Sequence, residues 1–150
     1  MSVPEPVPEY IIDTSVALKW FLEREEVDLT KARDLRNACV EGRCSLRAPE
    51  LLVVELANAL TTGHRQAAHK VSEALDAVRK LDLRLEAVRW STLANAVRLA
   101  SSYGVTVYDS YFWALAVESG SLLVTADEAF LRKAGGHPGV VSLRRLRLPA

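Results

Sequence analysis

The chain has 150 residues, 49% of them hydrophobic and 25% charged, with 19 basic and 19 acidic side chains in balance. A chain of that length is expected to form one domain that buries about two-thirds of its extended surface. The neutral balance excludes a global positive field that recruits nucleic acid, so contact with such a polymer is left to local patches. The apolar runs fall far short of the ~20 residues that span a bilayer, and no signal sequence is evident. Cys39 and Cys44 are spaced neither as a zinc knuckle nor as a redox pair, and His64, His69 and His137 are the only histidines. The expectation is a cytoplasmic protein with free thiols, no membrane association and no zinc cluster.

Three of the six prolines lie in the first eight residues, and 1–9 reads as a flexible N-terminal tail ahead of a folded domain over 10–150. Tyr10, Ile11 and Ile12 suit a strand buried on both faces of a parallel sheet. Asp13 ends it, and Thr14 or Ser15 is expected to cap a helix carrying Val16, Leu18 and Phe21. A solvated turn from Glu23 to Glu26 follows. Leu29, Ala32, Leu35, Ala38 and Cys39 then mark one face of a second helix, which Gly42 ends. Residues 44–48 form a candidate strand, and Pro49 is placed to enter the helix LLVVELANALTT. Beyond Gly63, the positions Ala67, Val71, Ala74, Leu75, Val78 and Leu81 predict a long amphipathic helix. With no strand signal between them, this helix and the one before it are expected to stand proud of the sheet as the side wall of a cleft.

Leu83 and Leu85 read as a brief break before a fifth helix through Val88, Leu93, Ala96, Val97 and Ala100, ending near Gly104. Val105, Thr106 and Val107 read as a strand. Asp109 is expected to begin a helix bearing Tyr111, Phe112, Leu115 and Ala116. A strand over 122–125, a short helix over 128–134 and an edge strand through Val140, Val141 and Leu143 complete the pattern. This alternation predicts an α/β fold, a three-layer α/β/α sandwich with a central, mostly parallel sheet of four or five strands.

Four acids fall at strand ends or in the adjacent helices, the ligand edge of an open α/β sheet. Asp13, Asp109 and Asp127 each have the alternative reading of a helix cap, because an acid at a helix start accepts bonds from free amides. The two roles are compatible, since one oxygen can cap while the other faces a cleft. Glu55 is the only charged residue from Leu51 to Leu60; an unpaired buried carboxylate is costly, which leaves a wet helix stripe or a turn toward a metal. Thr125 stands two residues before Asp127, where its hydroxyl can orient a carboxylate or a water. The chain carries no G-x-G-x-x-G, no G-K-[ST] and no G-x-S-x-G, so dinucleotide, P-loop and acyl-transfer readings lack support.

In order, IDTSVALKWF, APELLVVELANAL, VTVYDSYFWALA and LLVTADEAF resemble the four acidic segments of the PIN domain, most closely of the VapC-like ribonuclease toxins of toxin–antitoxin operons. The resemblance spans Tyr10 to about Leu143 and matches its acids to Asp13, Glu55, Asp109 and Asp127. It implies a Mg2+- or Mn2+-dependent endoribonuclease toxin that hydrolyses RNA phosphodiester bonds by metal-activated water, leaving a 5′ phosphate and a 3′ hydroxyl. It also implies a homodimer and a small VapB-like antitoxin. Crowded carboxylates raise one another's proton affinity, which a divalent cation reverses, and magnesium keeps several waters in its shell. The acids do not attract RNA, so phosphates are assigned to Arg65, His69 and Lys70 or to Arg144, Arg145 and Arg147, with ordinary solvated surface as the alternative. Tyr111, Phe112 and Trp113 are open to base stacking or core packing, with packing expected for Phe112. The alternatives to an RNase are a noncatalytic PIN-like module that binds RNA or protein, and a DNA-directed nuclease.

Overall fold

A computed structural model describes residues 2–23 and 27–150. Residues 2–8 are exposed and carry no regular structure, although the Pro8 carbonyl accepts a bond from Ser45 N at 2.9 Å. The chain then runs through β1 (Glu9–Ile12), α1 (Thr14–Leu18), a 3₁₀ turn (Lys19–Phe21) and α2 (Leu29–Val40). The turn expected at Glu23 to Glu26 lies, beyond Glu23, outside the described residues. β2 (Ser45–Pro49), α3 (Leu51–Asn58) with a π-helical end (Ala59–Gly63), and α4 (Ala68–Lys80) follow. β3 (Leu83–Glu86), α5 (Trp90–Tyr103), α6 (Val107–Ser119), β4 (Leu122–Thr125), α7 (Glu128–Ala134), β5 (Val140–Ser142) and a 3₁₀ turn (Leu143–Arg145) complete it.

The strands form one parallel sheet in the order β3-β2-β1-β4-β5. Helices flank it in the expected three-layer α/β arrangement. Tyr10, Ile11 and Ile12 of β1 and Leu123, Val124 and Thr125 of β4 are all buried, as central strands covered on both faces require. The chain winds outward from β1 to β3 on one side and returns to β4 on the other. β1 and β4 therefore flank the point where the winding direction reverses, and a crevice forms there beyond the carboxyl ends of the strands.

Two expectations change. Val105, Thr106 and Val107 are not a strand: Gly104 closes α5 in the left-handed conformation at φ +67, and the Thr106 hydroxyl caps α6 two residues later. The β-branched run is overridden because the α5–α6 hairpin needs a tight connection with an N-cap at its end. Conversely, Leu83 to Glu86 is no break but the edge strand β3, paired with β2 from Leu46↔Leu83 to Pro49↔Glu86. Its apolar–charged alternation is a period-two signal, shortened to four residues. Smaller differences are that Pro49 ends β2 rather than opening α3, and that Leu143 lies in the turn after β5.

The main core joins the sheet to α1, α2 and α6, with Ile11, Ile12, Leu35, Leu46, Phe112 and Trp113 fully enclosed. A second cluster, Leu56, Leu60, Val71, Ala74 and Val78, holds α3 against α4, which accounts for a helix pair with no strand between its members. Ser110 to Ala116 of α6 are buried without interruption; a helix apolar on every side belongs inside the molecule. Tyr111, Phe112 and Trp113 are thereby core residues. Cys39 and Cys44 are free and buried, and burial pushes the Cys44 thiol up to about 11.

Candidate functional site

At the end of β1, the Asp13 amide donates to Val124 O at 2.9 Å, which ties the acid to the mouth of β4. Its side chain caps α1: Oδ2 accepts from Ser15 N at 3.3 Å and Ser15 Oγ at 2.5 Å. Neither Thr14 nor Ser15 is the cap. Thr125 Oγ1, fully buried at the end of β4, donates to the same oxygen at 3.2 Å. Ser15 Oγ in turn accepts from Ala126 N at 3.0 Å, and Thr125 Oγ1 accepts from Asp127 N at 3.1 Å. All three bonds therefore fall on Oδ2. Among the described residues, Oδ1 has no protein donor.

Glu55 reaches the same place from α3. Its Oε1 accepts from Thr14 Oγ1 at 2.8 Å, which fastens α3 to α1 and turns the half-buried carboxylate inward; the wet-stripe reading does not hold. Asp109 lies in the first turn of α6, and the cap there is Thr106, so its carboxylate is not consumed in ending the helix. Asp127 does cap α7, accepting from Phe130 N at 3.0 Å. The helices that carry these last two acids are joined by Trp113 of α6, which packs edge-on against Phe130 of α7 at 5.5 Å and against His137 at 5.2 Å.

The acids sense one another. Burial raises the Asp13 carboxyl above its ordinary range, opposed by its bonds to Ser15 and Thr125 and reinforced by Asp109. Burial also raises Glu55, with Thr14 opposing and Asp13 and Asp109 adding to the shift. Asp109 is raised by burial, eased by Thr106, raised by Asp127 and eased by Lys133. Among the described residues none of the four makes an ion pair. A cleft of about 240 Å³ opens beside Asp109 and Asp127, with Lys133 on its wall. Lys133 escapes sequence reasoning because, with Arg132, it lies in the last turn of a short helix, where cations read as a complement to the helix dipole. Ser15 was legible only as a possible cap. Its role as the hub between Asp13 and β4 depends on strand pairing.

The donors are hard carboxylate oxygens, with Asp13 Oδ1 unclaimed, which suits a hard divalent cation. Among the described residues no three His, Cys, Asp or Glu side chains close into a ready metal cluster. The set therefore suits an ion that keeps much of its water shell and meets some of the acids through bound water, as magnesium prefers.

The sequence-predicted basic residues separate. Arg144 and Arg145 line a cleft of about 450 Å³ that also touches Thr125, while Arg147 is exposed outside that lining. Lys70 lies on a different cleft, of about 720 Å³, beside Trp20 and Phe21. Arg65 and His69 are exposed, and Arg65 has a positive φ of 50.

The PIN domain model matches residues 10–136. The chain belongs to the PIN domain family. This PIN domain is similar in fold to a toxin–antitoxin complex from Klebsiella pneumoniae, at a TM-score of 0.66 and 16% identity, covering 89% of this chain and 97% of that one. VapC20 of Mycobacterium tuberculosis, a toxin that cleaves the sarcin–ricin loop, superposes at 0.66 with 15% identity, over 84% and 95% of the two chains. DNA-bound VapBC from Salmonella typhimurium superposes at 0.63 with 15% identity, over 91% and 99%. None of the curated proteins matches the chain. No helix among the described residues is long and apolar enough to cross a membrane.

Proposed function

We propose that this PIN domain is a divalent-metal-dependent endoribonuclease and the toxin of a toxin–antitoxin pair. One observation supports the reading: Asp13 at the end of β1, Glu55 of α3 and Asp109 of α6 are partly or fully buried and each has another of these acids or Asp127 as a charged neighbour, with no ion pair among the described residues. A protein that holds like charges together at neutral pH needs a cation to make the ionised set favourable. Asp13, Glu55 and Asp109 are assigned to hold Mg2+ or Mn2+, with Asp127 completing the set. When bound, such an ion supplies Lewis acidity toward phosphoryl oxygens and lowers the pKa of water.

The chain's own residues do the rest. Ser15 and Thr125 fix Asp13 through Oδ2 and leave Oδ1 for the ligand. Thr14 aims Glu55. Lys133 stands on the wall beside Asp109 and Asp127, where an ammonium can meet a phosphate oxygen. Relatives of known structure that are toxins or toxin–antitoxin complexes support the toxin reading and a VapB-like antitoxin partner. The cleft by Trp20, Phe21 and Lys70 is the groove assigned to that antitoxin, and a homodimer is part of the same proposal. Co-purification with the product of a neighbouring gene and light scattering test these two contacts.

The direct experiment incubates the purified full chain with single-stranded RNA or DNA, in manganese, in magnesium and in chelator. RNA cleaved only with a divalent ion, and lost in Asp13→Asn, supports the proposal. Divalent ion that binds without cleavage of either polymer indicates the noncatalytic module, and preferential DNA cleavage indicates a DNA-directed nuclease.

A further inference from the structure

α7 separates two clefts, and consecutive cations on it serve different ones. Lys133 lines the acid cleft with Asp109 and Asp127. Arg132 lines the neighbouring one with Arg144 and Arg145. That second cleft, about 450 Å³, begins at Thr125 and Ala126 on the mouth of β4, so it adjoins the acids across the N-terminus of α7. Its arginines are held from beneath. Leu143 and Leu146 are buried and anchor the final turn, while Arg144 and Arg145 remain exposed. Two acids are also present, Asp28 and Glu128.

Asp28 has an unusual posture. It stands at the N-terminus of α2 with φ +71 and makes no capping bond. Its carboxylate instead accepts Arg144 Nε, at 3.3 and 3.4 Å to its two oxygens. A guanidinium anchored through Nε keeps its terminal N–H groups for another anion. Among the described residues nothing else is bonded to those of Arg144.

We propose that the cleft walled by Arg132, Arg144 and Arg145 is a phosphate subsite, holding the RNA backbone at a nucleotide next to the scissile bond with Asp28 positioning Arg144. The inference rests on the endoribonuclease reading and adds the path of the strand: out of the acid cleft and over the start of α7. The residues carry no base-reading pattern. The subsite accordingly recognises phosphate and contributes affinity without sequence preference.

The test measures binding of a labelled single-stranded oligoribonucleotide in calcium over a salt series, and cleavage of the same RNA in manganese. Arg132→Gln, Arg144→Gln and Arg145→Gln should each weaken binding about fivefold and flatten the salt dependence by about one ion. KM should rise while kcat stays within about twofold, because the contact is equal in ground and transition states. Asp28→Asn, which suits a left-handed position, should weaken binding about twofold in the wild-type background and leave Arg144→Gln unchanged. An acid that merely repels RNA would give tighter binding in both backgrounds and would overturn the positioning role. Arg79→Gln, on the exposed face of α4, controls for net charge. Wild-type cleavage of RNA with unaltered affinity and salt slope in all three arginine variants overturns the subsite alone. A wild type that neither binds nor cuts RNA with any divalent ion overturns the enzyme reading and the subsite together.

Discussion

Two charged clusters sit on this sheet and are built on opposite logic. On the β1–β2–β3 flank, Arg47 donates to Glu86 at 2.7 Å and to Glu9 at 3.3 Å, and Arg84 lies 3.5 Å from Glu9. Ser121 donates a further bond to Glu9. Every acid there has a cation on a neighbouring strand. At the carboxyl ends of β1 and β4, Asp13, Glu55, Asp109 and Asp127 have hydroxyls, amides and each other, with one lysine on the wall. The first cluster is complete without a ligand. The second holds repulsion that its hydroxyls and Lys133 ease only in part and that protons or an added cation would relieve, and that contrast supports the site proposed above.

The contrast is broken most sharply by neutralising the acids. Asp13→Asn, Glu55→Gln and Asp109→Asn should each lower metal-dependent cleavage by about a hundredfold or more, since outer partners of metal sites alone carry up to about that factor. Wild-type turnover in folded Asp13 and Asp109 variants would sink the shared site.

The paired cluster should answer in stability instead. Arg47→Met strands Glu86 half-buried and leaves Glu9 with Arg84 and Ser121 alone, and should cost roughly 2 kcal/mol, less than a fully buried pair because water still reaches these groups. Chemical denaturation measures that loss, and cleavage per folded molecule should be unchanged.

Ser15→Ala removes the shortest bond to Asp13 and the acceptor for Ala126 N. Metal affinity, read by titration, should fall about tenfold while the acid itself remains. An unchanged affinity would show that Asp13 needs no such support.

The smallest effect is a pH dependence of opposite sign to the usual carboxylate. Asp13 and Asp109 in the fold lie above the ordinary 3.8, and Glu55 above 4.5. The folded state then holds protons the unfolded chain has released. This contribution to stability is fully present below the ordinary carboxylate values and is lost as pH rises through the raised ones. Metal-free protein should lose stability across that window, and manganese should restore it at neutral pH. Asp109→Asn should stabilise the metal-free protein at neutral pH by a few tenths of a kcal/mol, after discounting for solvent screening. Thermal unfolding in chelator and in manganese separates these cases.

Local pattern alone carried much of this reading. The unbroken Tyr10–Ile12 run predicted a strand buried on both faces, the spacing of Leu29, Ala32, Leu35 and Ala38 predicted the buried face of α2, and an isolated glutamate in an apolar helix flagged Glu55. Those signals are intrinsic to residue type and period. The same local rules failed at Val105–Val107, where β propensity lost to the cap that a tight α5–α6 connection requires, and at Leu83–Glu86, where four residues were too few for alternation to stand out. Tertiary structure also decided which of the compatible roles each acid takes: Asp13 and Asp127 cap, Asp109 does not because Thr106 does. It assigned Lys133 and Arg132 to different clefts although they are adjacent in sequence, and it separated Arg144 and Arg145 from Arg147. Periodicity specifies which face of an element is buried, but where two elements meet depends on strand order. Here the reversal between β1 and β4 is what brings Ser15 and Thr125, 110 residues apart, onto one carboxylate oxygen.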